Sequence, residues 1–469
     1  MSAPTSSVAC AGCGAVLSND DPYPFRCPNA AHGDDVDHVV TRVLEATGDR
    51  WSELVDDDPN PFIRYRRLFH SWHVAIRHGM ADDAYVDLVC QLDKEVARVD
   101  GKGFEVTPFG RAAELSGRLG FAQDGGLWVK DETGNVSGSH KARHMMGLLI
   151  HLALVERLGL ATDGESRELA IASCGNAALA AAVVARAGGR PLQVFVPTWG
   201  DEFVVARLKE LGASVNTVPR EEGVPGDPTY LALQRAIGNG ALPFTCQGTE
   251  NGLAIEGGMT IGYELASQLS EERTAIDRLV IQVGGGALAS SVLQGLSEAA
   301  ELGALERLPR VDTVQTQGGH PLQRAYERLT ARIAARLAAG DGIGSDVALD
   351  LAQRFDAPEV QEELAFARTH RSKFMWPWEE EPRSIAHGIL DDETYDWFVV
   401  VRGMLRTGGR PLVVDEEALK EANELARAAT GIDVDPTGSA GLAGVLVSGF
   451  ERNERIAVLF TGHIREGEG

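Results

Sequence analysis

Lys141 stands in the run Lys130-Asp131-Glu132-Thr133-Gly134-Asn135-Val136-Ser137-Gly138-Ser139-His140-Lys141-Ala142-Arg143, just ahead of an apolar stretch that begins at Met145. The chain has seven lysines against 37 arginines, so a lysine between a small-residue turn and an apolar run is conspicuous. An amine that attacks a carbonyl must be partly desolvated, because burial disfavours the ammonium and frees the lone pair. A solvated lysine at a helix start is the bland alternative. Ser173-Cys174-Gly175-Asn176 follows an apolar run at 169–172 and precedes an Ala-rich helix. Its N–H and hydroxyl donors could hold a carboxylate or simply cap the helix. Gly284-Gly285-Gly286-Ala287-Leu288 follows a strand-like run at 279–283 and opens a helix. Successive N–H groups and the helix dipole there can cradle a phosphate, although a tight strand-to-helix turn has the same sequence. The turn lacks Gly-x-Gly-x-x-Gly spacing and no Walker lysine follows it.

A second group of residues could hold a metal. Cys10-x2-Cys13 forms a knuckle that aims two thiolates at one ion, Cys27 adds a third, and His32 is the expected fourth ligand. A second knuckle would need Cys at position 30, where the chain has Ala30. The expected ion is a structural zinc, the alternative being a degenerate ribbon with free thiols. Cys174 has no His-Asp set beside it and is not read as a nucleophile.

The elements that must position these groups alternate. Strand patterns at 169–172, 192–196, 279–283 and 311–315 are separated by helical patterns such as 177–187. This argues for an α/β fold with mainly parallel sheets, in which ligands sit at the carboxyl ends of strands. Residues 36–100 read as helical, with Trp51, Phe62, Phe69 and Trp72 as core. Residues 323–395 interrupt the alternation with an amphipathic, Arg-rich helix at 324–339. An acidic, loop-rich stretch follows and ends in Phe374-Met375-Trp376-Pro377-Trp378, read as a surface helix and its anchor or as a lid. No internal repeat is present.

A chain of 469 residues suffices for two or three domains. Its net charge of -24 repels phosphate backbones and anionic lipid, which excludes nucleic acid and membrane surfaces as expected partners. The N-terminus has no basic and apolar leader pattern, and no apolar stretch approaches the ~20 residues of a membrane span, so a cytoplasmic protein is expected. A disulfide scaffold is not expected from three clustered and three scattered cysteines in such a compartment.

Taken together, Asn135-x-Ser137-Gly-Ser139-x-Lys141, Ser173-x-Gly175-Asn176, Gly284-Gly285-Gly286-x-Leu288 and Thr461-Gly462-His463 resemble the fold-type II pyridoxal-phosphate enzymes. That group includes the tryptophan synthase β-subunit, threonine dehydratase and threonine synthase. The resemblance covers about residues 105–465, and the closing Thr-Gly-His and cysteine-bearing N-terminus look most like threonine synthase. It implies two open parallel-sheet domains flanked by helices. A small α/β domain would span 136–250, and a large pyridoxal-phosphate-binding domain 101–135 and 251–469, with the insertion inside it. Residues 1–35 would form a zinc-ribbon-like segment and 36–100 a helical extension.

Carried onto this chain, the resemblance implies that Lys141 holds the cofactor as a Schiff base and acts as the base at Cα. Asn176 would bond the pyridoxal ring oxygen, and Gly284, Gly285, Gly286, Ala287 and Leu288 would hold the phosphate. Ser137, Ser173, Cys174, Gly175 and Asn176 would line the substrate carboxylate site. Thr461 would face the pyridine nitrogen, where a hydroxyl makes the ring a weaker electron sink than a carboxylate would. Two neighbours depart from the family pattern. His140 replaces the usual Phe, to stack on the cofactor or to help a leaving group, and Ala142 replaces the Asp common in threonine synthases. Asp435-Pro436-Thr437-Gly438-Ser439-Ala440 resembles a supporting turn of the family.

The expected activity is β-elimination or β-replacement on a small polar L-amino acid, with serine or threonine deamination as the simplest form. Alternatives are a threonine synthase-like γ-replacement on a phosphorylated amino acid, and a non-catalytic regulatory protein that binds the cofactor or an amino acid. Such a chain is expected to assemble as a homodimer, by analogy.

Overall fold

The computed structural model describes residues 5–31, 33–45, 48, 50–161, 167–220, 226–337, 346–380 and 382–465. Two parallel sheets carry the fold. The first contains β5 (Leu169–Ala172), β6 (Leu192–Pro197), β7 (Ser214–Val218) and β8 (Leu242–Pro243) in the order β7-β6-β5-β8, all parallel. The second contains β3 (Phe109–Arg111), β4 (Gly126–Asp131), β9 (Arg278–Gln282), β10 (Arg310–Thr316), β11 (Pro411–Val414) and β12 (Arg455–Phe460). Its order is β11-β10-β9-β12-β4-β3, parallel except for the antiparallel edge strand β3. Their near-continuous apolar runs reflect burial on both faces, as parallel sheets require.

The helix Lys141–Arg157 lies between the sheets' helical layers. Thirteen of its 17 residues are buried, His144 and His151 among them, so it is a core helix rather than a one-sided surface helix. Its Gly147 allows close approach to the helix Ala254–Glu271, because a Cβ there would sit 2.9 Å from Gly257 Cα. A fully buried charge network fixes the start of this helix. Arg143 Nε donates to Glu132 Oε2 at 2.7 Å and its NH1 to Glu264 Oε1 at 2.5 Å, while Lys130 Nζ donates to Glu264 Oε2 at 2.6 Å. Strand β4, its following turn and two helices therefore meet at four charges with no exposure. Each charge survives burial only because the others neutralise it and hydrogen bonds fill its remaining positions.

The N-terminal region departs from its expected division. Val40–Glu45 is a strand, β2, which pairs antiparallel with β1 (Thr5–Cys10). The residues from 36 onward thus begin as the second half of a hairpin-like unit, and helices start at Trp51. Phe62, Phe69 and Trp72 are buried as expected, while Trp51 is half-buried.

The segment 323–395 is more ordered than its sequence suggested. Helices Val347–Gln353 and Pro358–Thr369 occupy the stretch read as loop-rich. The aromatic pair is not an exposed one: Arg324 stacks 3.7 Å from the Trp376 ring centroid and 5.3 Å from that of Trp378, and Phe374 and Met375 are buried. Glu362 and Glu363 of the second helix face Arg332 and Arg336, so this charged stretch is helical rather than solvated coil. No helix of the described residues is long and apolar enough to cross a membrane.

Candidate active site

Three turns at strand ends come together around Lys141. Ser139 bridges to Gly462, His140 N–H donates to Thr461 O at 3.2 Å, and His463 N–H donates to Gly138 O at 2.9 Å. The lysine turn is thereby laced to the turn after β12. Asn176, first residue of the helix after β5, lies against the same turn, since a Cβ on Gly462 would meet Asn176 Nδ2 at 2.9 Å.

Lys141 opens its helix half-buried, and its Nζ donates to Cys246 Sγ at 3.4 Å. A thiol is a weak acceptor, so this contact leaves the amine far less committed than Lys130, which is locked to Glu264. His140 is buried and its Nδ1 faces Thr461 O at 3.3 Å. Burial, and then the charge of Lys141, hold its pKa well below the ordinary histidine value. His144, edge-on to it at 5.9 Å, is lowered to about 3 by the same causes. Both rings are neutral at physiological pH.

Ser137 has a left-handed backbone, φ 55°, rare for a residue with a Cβ. Its N–H is held by Asp100 Oδ2 at 2.9 Å. This strained residue falls within the lysine motif, as such strain often does at sites. Ser173, Cys174, Gly175 and Asn176 are all half-buried, as are Ala172 and Ala177 on either side, in contrast to the buried residues 169–171 and 178–185. Burial pushes the Cys174 thiol up to about 11, so it is protonated and no nucleophile.

Thr461 is buried, and its Oγ1 accepts from Gln282 Nε2 at 2.8 Å. The same amide nitrogen donates to Gly438 O at 2.9 Å, which brings the 435–440 turn beneath Thr461. With its oxygen already accepting, the Thr461 hydroxyl has its own hydrogen to donate. Gln282, the last residue of β9, was not foreseen in the sequence; its only signal was a polar side chain inside an apolar run ahead of three glycines. Arg465 was also missed. Its NH2 donates to Asn176 Oδ1 from the last described residue of the chain.

Gly284, Gly285 and Gly286 follow β9, and Ala287 and Leu288 begin the helix Ala287–Glu301. Gly286 has φ 99° and must be glycine to turn the chain into the helix. Residues 388–396 pack directly on this turn. A Cβ on Gly284 would collide with Asp391 Oδ2, and one on Gly285 would lie 2.8 Å from Tyr395 Cδ2.

Away from these turns, Cys10, Cys13, Cys27 and His38 bring four ligand atoms within 4.8 Å of one another. Cys13 Sγ is 3.6 Å from Cys27 Sγ, and Cys10 Sγ is 3.4 Å from His38 Nδ1. Those separations suit the ~3.8 Å edges of a tetrahedron with ~2.3 Å zinc–sulfur bonds. The expected fourth ligand, His32, lies outside the described residues. Among the described residues His38 lies nearest the three thiols, because β1 pairs Cys10 with Val40, which carries residue 38 back to the knuckle. His38 Nε2 bonds Asp34 Oδ2 at 2.8 Å, the carboxylate partner that orients metal-binding histidines. Burial would raise Cys13, but the Ala15 N–H, Asn29 and the neighbouring thiols lower it to about 6, whereas burial pushes Cys10 up to about 12.

An open parallel α/β sheet pair with a lysine, a hydroxyl and a glycine turn at strand ends defines a cofactor-dependent α/β enzyme. The chain belongs to the pyridoxal-phosphate dependent enzyme family, which it matches over residues 102–371. It is 26% identical to the threonine synthase of Methanosarcina acetivorans over 364 residues, 76% of this chain and 74% of that one. It is 30% identical to the L-serine dehydratase/L-threonine deaminase of Mus musculus over 199 residues, 42% of this chain and 54% of that one. Among solved structures, a fungal L-serine ammonia-lyase from Rhizomucor miehei superposes with a TM-score of 0.53 at 19% identity, covering 76% of this chain and 94% of that one. At that identity the likeness is one of fold.

Proposed function

We propose that this enzyme removes the β-hydroxyl of serine or threonine by elimination, releasing ammonia and a keto acid, with Lys141 as Schiff-base lysine and as the base at Cα. The observation that carries this reading is the pairing of Lys141 with a weak thiol acceptor on a helix start that Arg143 anchors through Glu132 and Glu264. The likeness to a serine dehydratase/threonine deaminase supports the reaction class.

The residues fit pyridoxal 5'-phosphate. When bound, it supplies an electron sink for the pair left at Cα. Lys141 would bind its carbonyl carbon and would serve as the base at Cα, general-base work typically worth ~10²–10⁴ in rate. Asn176 donates through Nδ2 to the ring oxygen, with Arg465 on Oδ1 fixing which way the amide points. The N–H groups of Gly284, Gly285, Gly286, Ala287 and Leu288 hold the phosphate at a helix N-terminus. Thr461 donates to the pyridine nitrogen, its oxygen being satisfied by Gln282. The half-buried Ser173, Cys174, Gly175 and Asn176, together with Ser137, take the substrate carboxylate. His140 packs neutral beside the lysine, so it adds bulk rather than charge.

A second reading, γ-replacement on a phosphorylated amino acid, is supported by the longer match to a threonine synthase. Keto-acid release from serine or threonine, set against phosphate release from O-phosphohomoserine, separates the two. A purified chain with no visible absorbance after addition of the cofactor, and no lysine fixed by borohydride, would sink both.

The four-ligand cluster Cys10, Cys13, Cys27 and His38 holds a structural zinc in this reading. The large and small domains divide near 136 and 250, with the insertion in the large one. Six free cysteines suit a reducing cytoplasm. A homodimer is expected, and light scattering on the purified chain tests it.

A further inference from the structure

The glycine turn that would hold the phosphate is already gripped by the segment from Gly388 to Asp396. Thr394 Oγ1 donates to Gly284 O at 3.0 Å, and Asp396 N–H donates to Gly285 O at 3.1 Å. The Tyr395 ring covers Gly285, and the Asp391 carboxylate lies against Gly284, facing the Gly285 N–H. Burial pushes Asp391 up to about 6, and Lys141 and that N–H oppose the shift. A carboxylate and a phosphate make the same demand on a helix N-terminus, oxygen acceptors for N–H groups and negative charge at the positive end of the dipole.

The segment is tied down at its start and its middle. Gly388 N–H donates to Thr437 Oγ1 at 3.0 Å, Trp378 N–H donates to Asp392 O at 2.9 Å, and Arg371 binds Glu393. Arg371 also meets Asp37 at 3.3 Å, one residue from the His38 of the thiol cluster. This is a built strap with its own anchors, not a loose loop.

We propose that the Asp391 strap is a resident competitor for the cofactor's phosphate: its carboxylate lies against the glycine turn at Gly284 and the Gly285 N–H, and it must give way where the phosphate binds. The inference rests on the assignment of residues 284–288 to the phosphate.

The test measures binding to apoenzyme by fluorescence, with pyridoxal phosphate and with pyridoxal, which lacks the phosphate. Asp391→Asn keeps the side-chain shape and removes the charge. It should tighten pyridoxal phosphate by about tenfold or more and shift pyridoxal by no more than about twofold. Equal tightening of both ligands would mean that Asp391 acts through Lys141, and the strap is then wrong; unchanged or weaker phosphate-ligand binding overturns it as well. In the wild-type apoenzyme, inorganic phosphate should raise amide hydrogen exchange across residues 388–396. No change at saturating phosphate contradicts the proposal without reliance on a variant. Borohydride fixation separates the two levels. If pyridoxal phosphate is fixed on Lys141 yet Asp391→Asn has no effect, only the strap fails; if nothing is fixed on Lys141, the site assignment fails and takes the strap with it.

Discussion

Lys141 Nζ reaches Cys246 Sγ at 3.4 Å, while Arg143, two residues on, is locked to Glu132 and Glu264 with no exposure. One side chain of this helix start is held rigid so that its neighbour can be left lightly bound. Lys141→Ala should lower keto-acid formation by at least about 10² and leave the melting temperature nearly unchanged, since the side chain is half-buried and its hydrogen bond is to a weak thiol acceptor. Cys246→Ala should keep activity within about tenfold of wild type, because a thiol is a weak acceptor. Steady-state kinetics of the two variants decide this; equal loss in both would make the thiol essential.

The buried network should show its value when one member is removed. Lys130→Met leaves Glu264 facing Arg143 alone in the interior, where Lys130 now completes the charge balance. The expected cost is about 3–5 kcal/mol, as for other broken buried pairs. Urea unfolding of the variant measures it, and a loss below about 1 kcal/mol would put the network in solvent-like surroundings.

Asp396 gives a pH dependence with a definite sign. Burial, and then Asp37, raise its carboxyl to about 8, with Lys141 opposing. The unfolded chain has an ordinary aspartate near ~3.9. Between those values the folded chain holds a proton that the unfolded chain has lost. The contribution is therefore fully present below the unfolded value and is lost as pH rises through the folded one. Asp396→Asn cannot ionise, so its stability relative to wild type should grow by up to about 3–4 kcal/mol from pH 5 to pH 8. Parallel unfolding midpoints at pH 5, 6.5 and 8 would remove the assignment.

Metal content separates the two candidate histidines. His38→Ala should lose the zinc and lower the melting temperature, while His32→Ala should keep both. Asp34→Ala, which frees His38 Nε2, should weaken zinc by about 10–100-fold. Elemental analysis and competition with a chromogenic chelator read these outcomes; retention of zinc by His38→Ala refutes the ligand set.

Much of the site was legible because each part lies within one short segment. A lysine before an apolar helix, Ser-x-Gly-Asn after a strand and a triple glycine before a helix are local patterns, and local patterns fix backbone geometry. Gln282 and Arg465 were not legible. Each acts on a residue far along the chain, Gln282 on Thr461 and Arg465 on Asn176, and nothing in its own neighbourhood announces the partner. The insertion was misread for a related reason. Its acidic residues look solvated until Arg332 and Arg336 are set opposite them. His38 has no local signal either: strand pairing is what brings residue 38 to Cys10.

By itself, the sequence determined the alternating α/β order and the cofactor family, since apolar periodicity and turn chemistry act over a few residues. Tertiary structure alone decided which lysine is lightly bound and which is locked, that His38 lies beside the thiols, and that Asp391 rests on the glycine turn. Those outcomes depend on charges and donors meeting across long stretches of chain, where desolvation and pairing set which groups stay available.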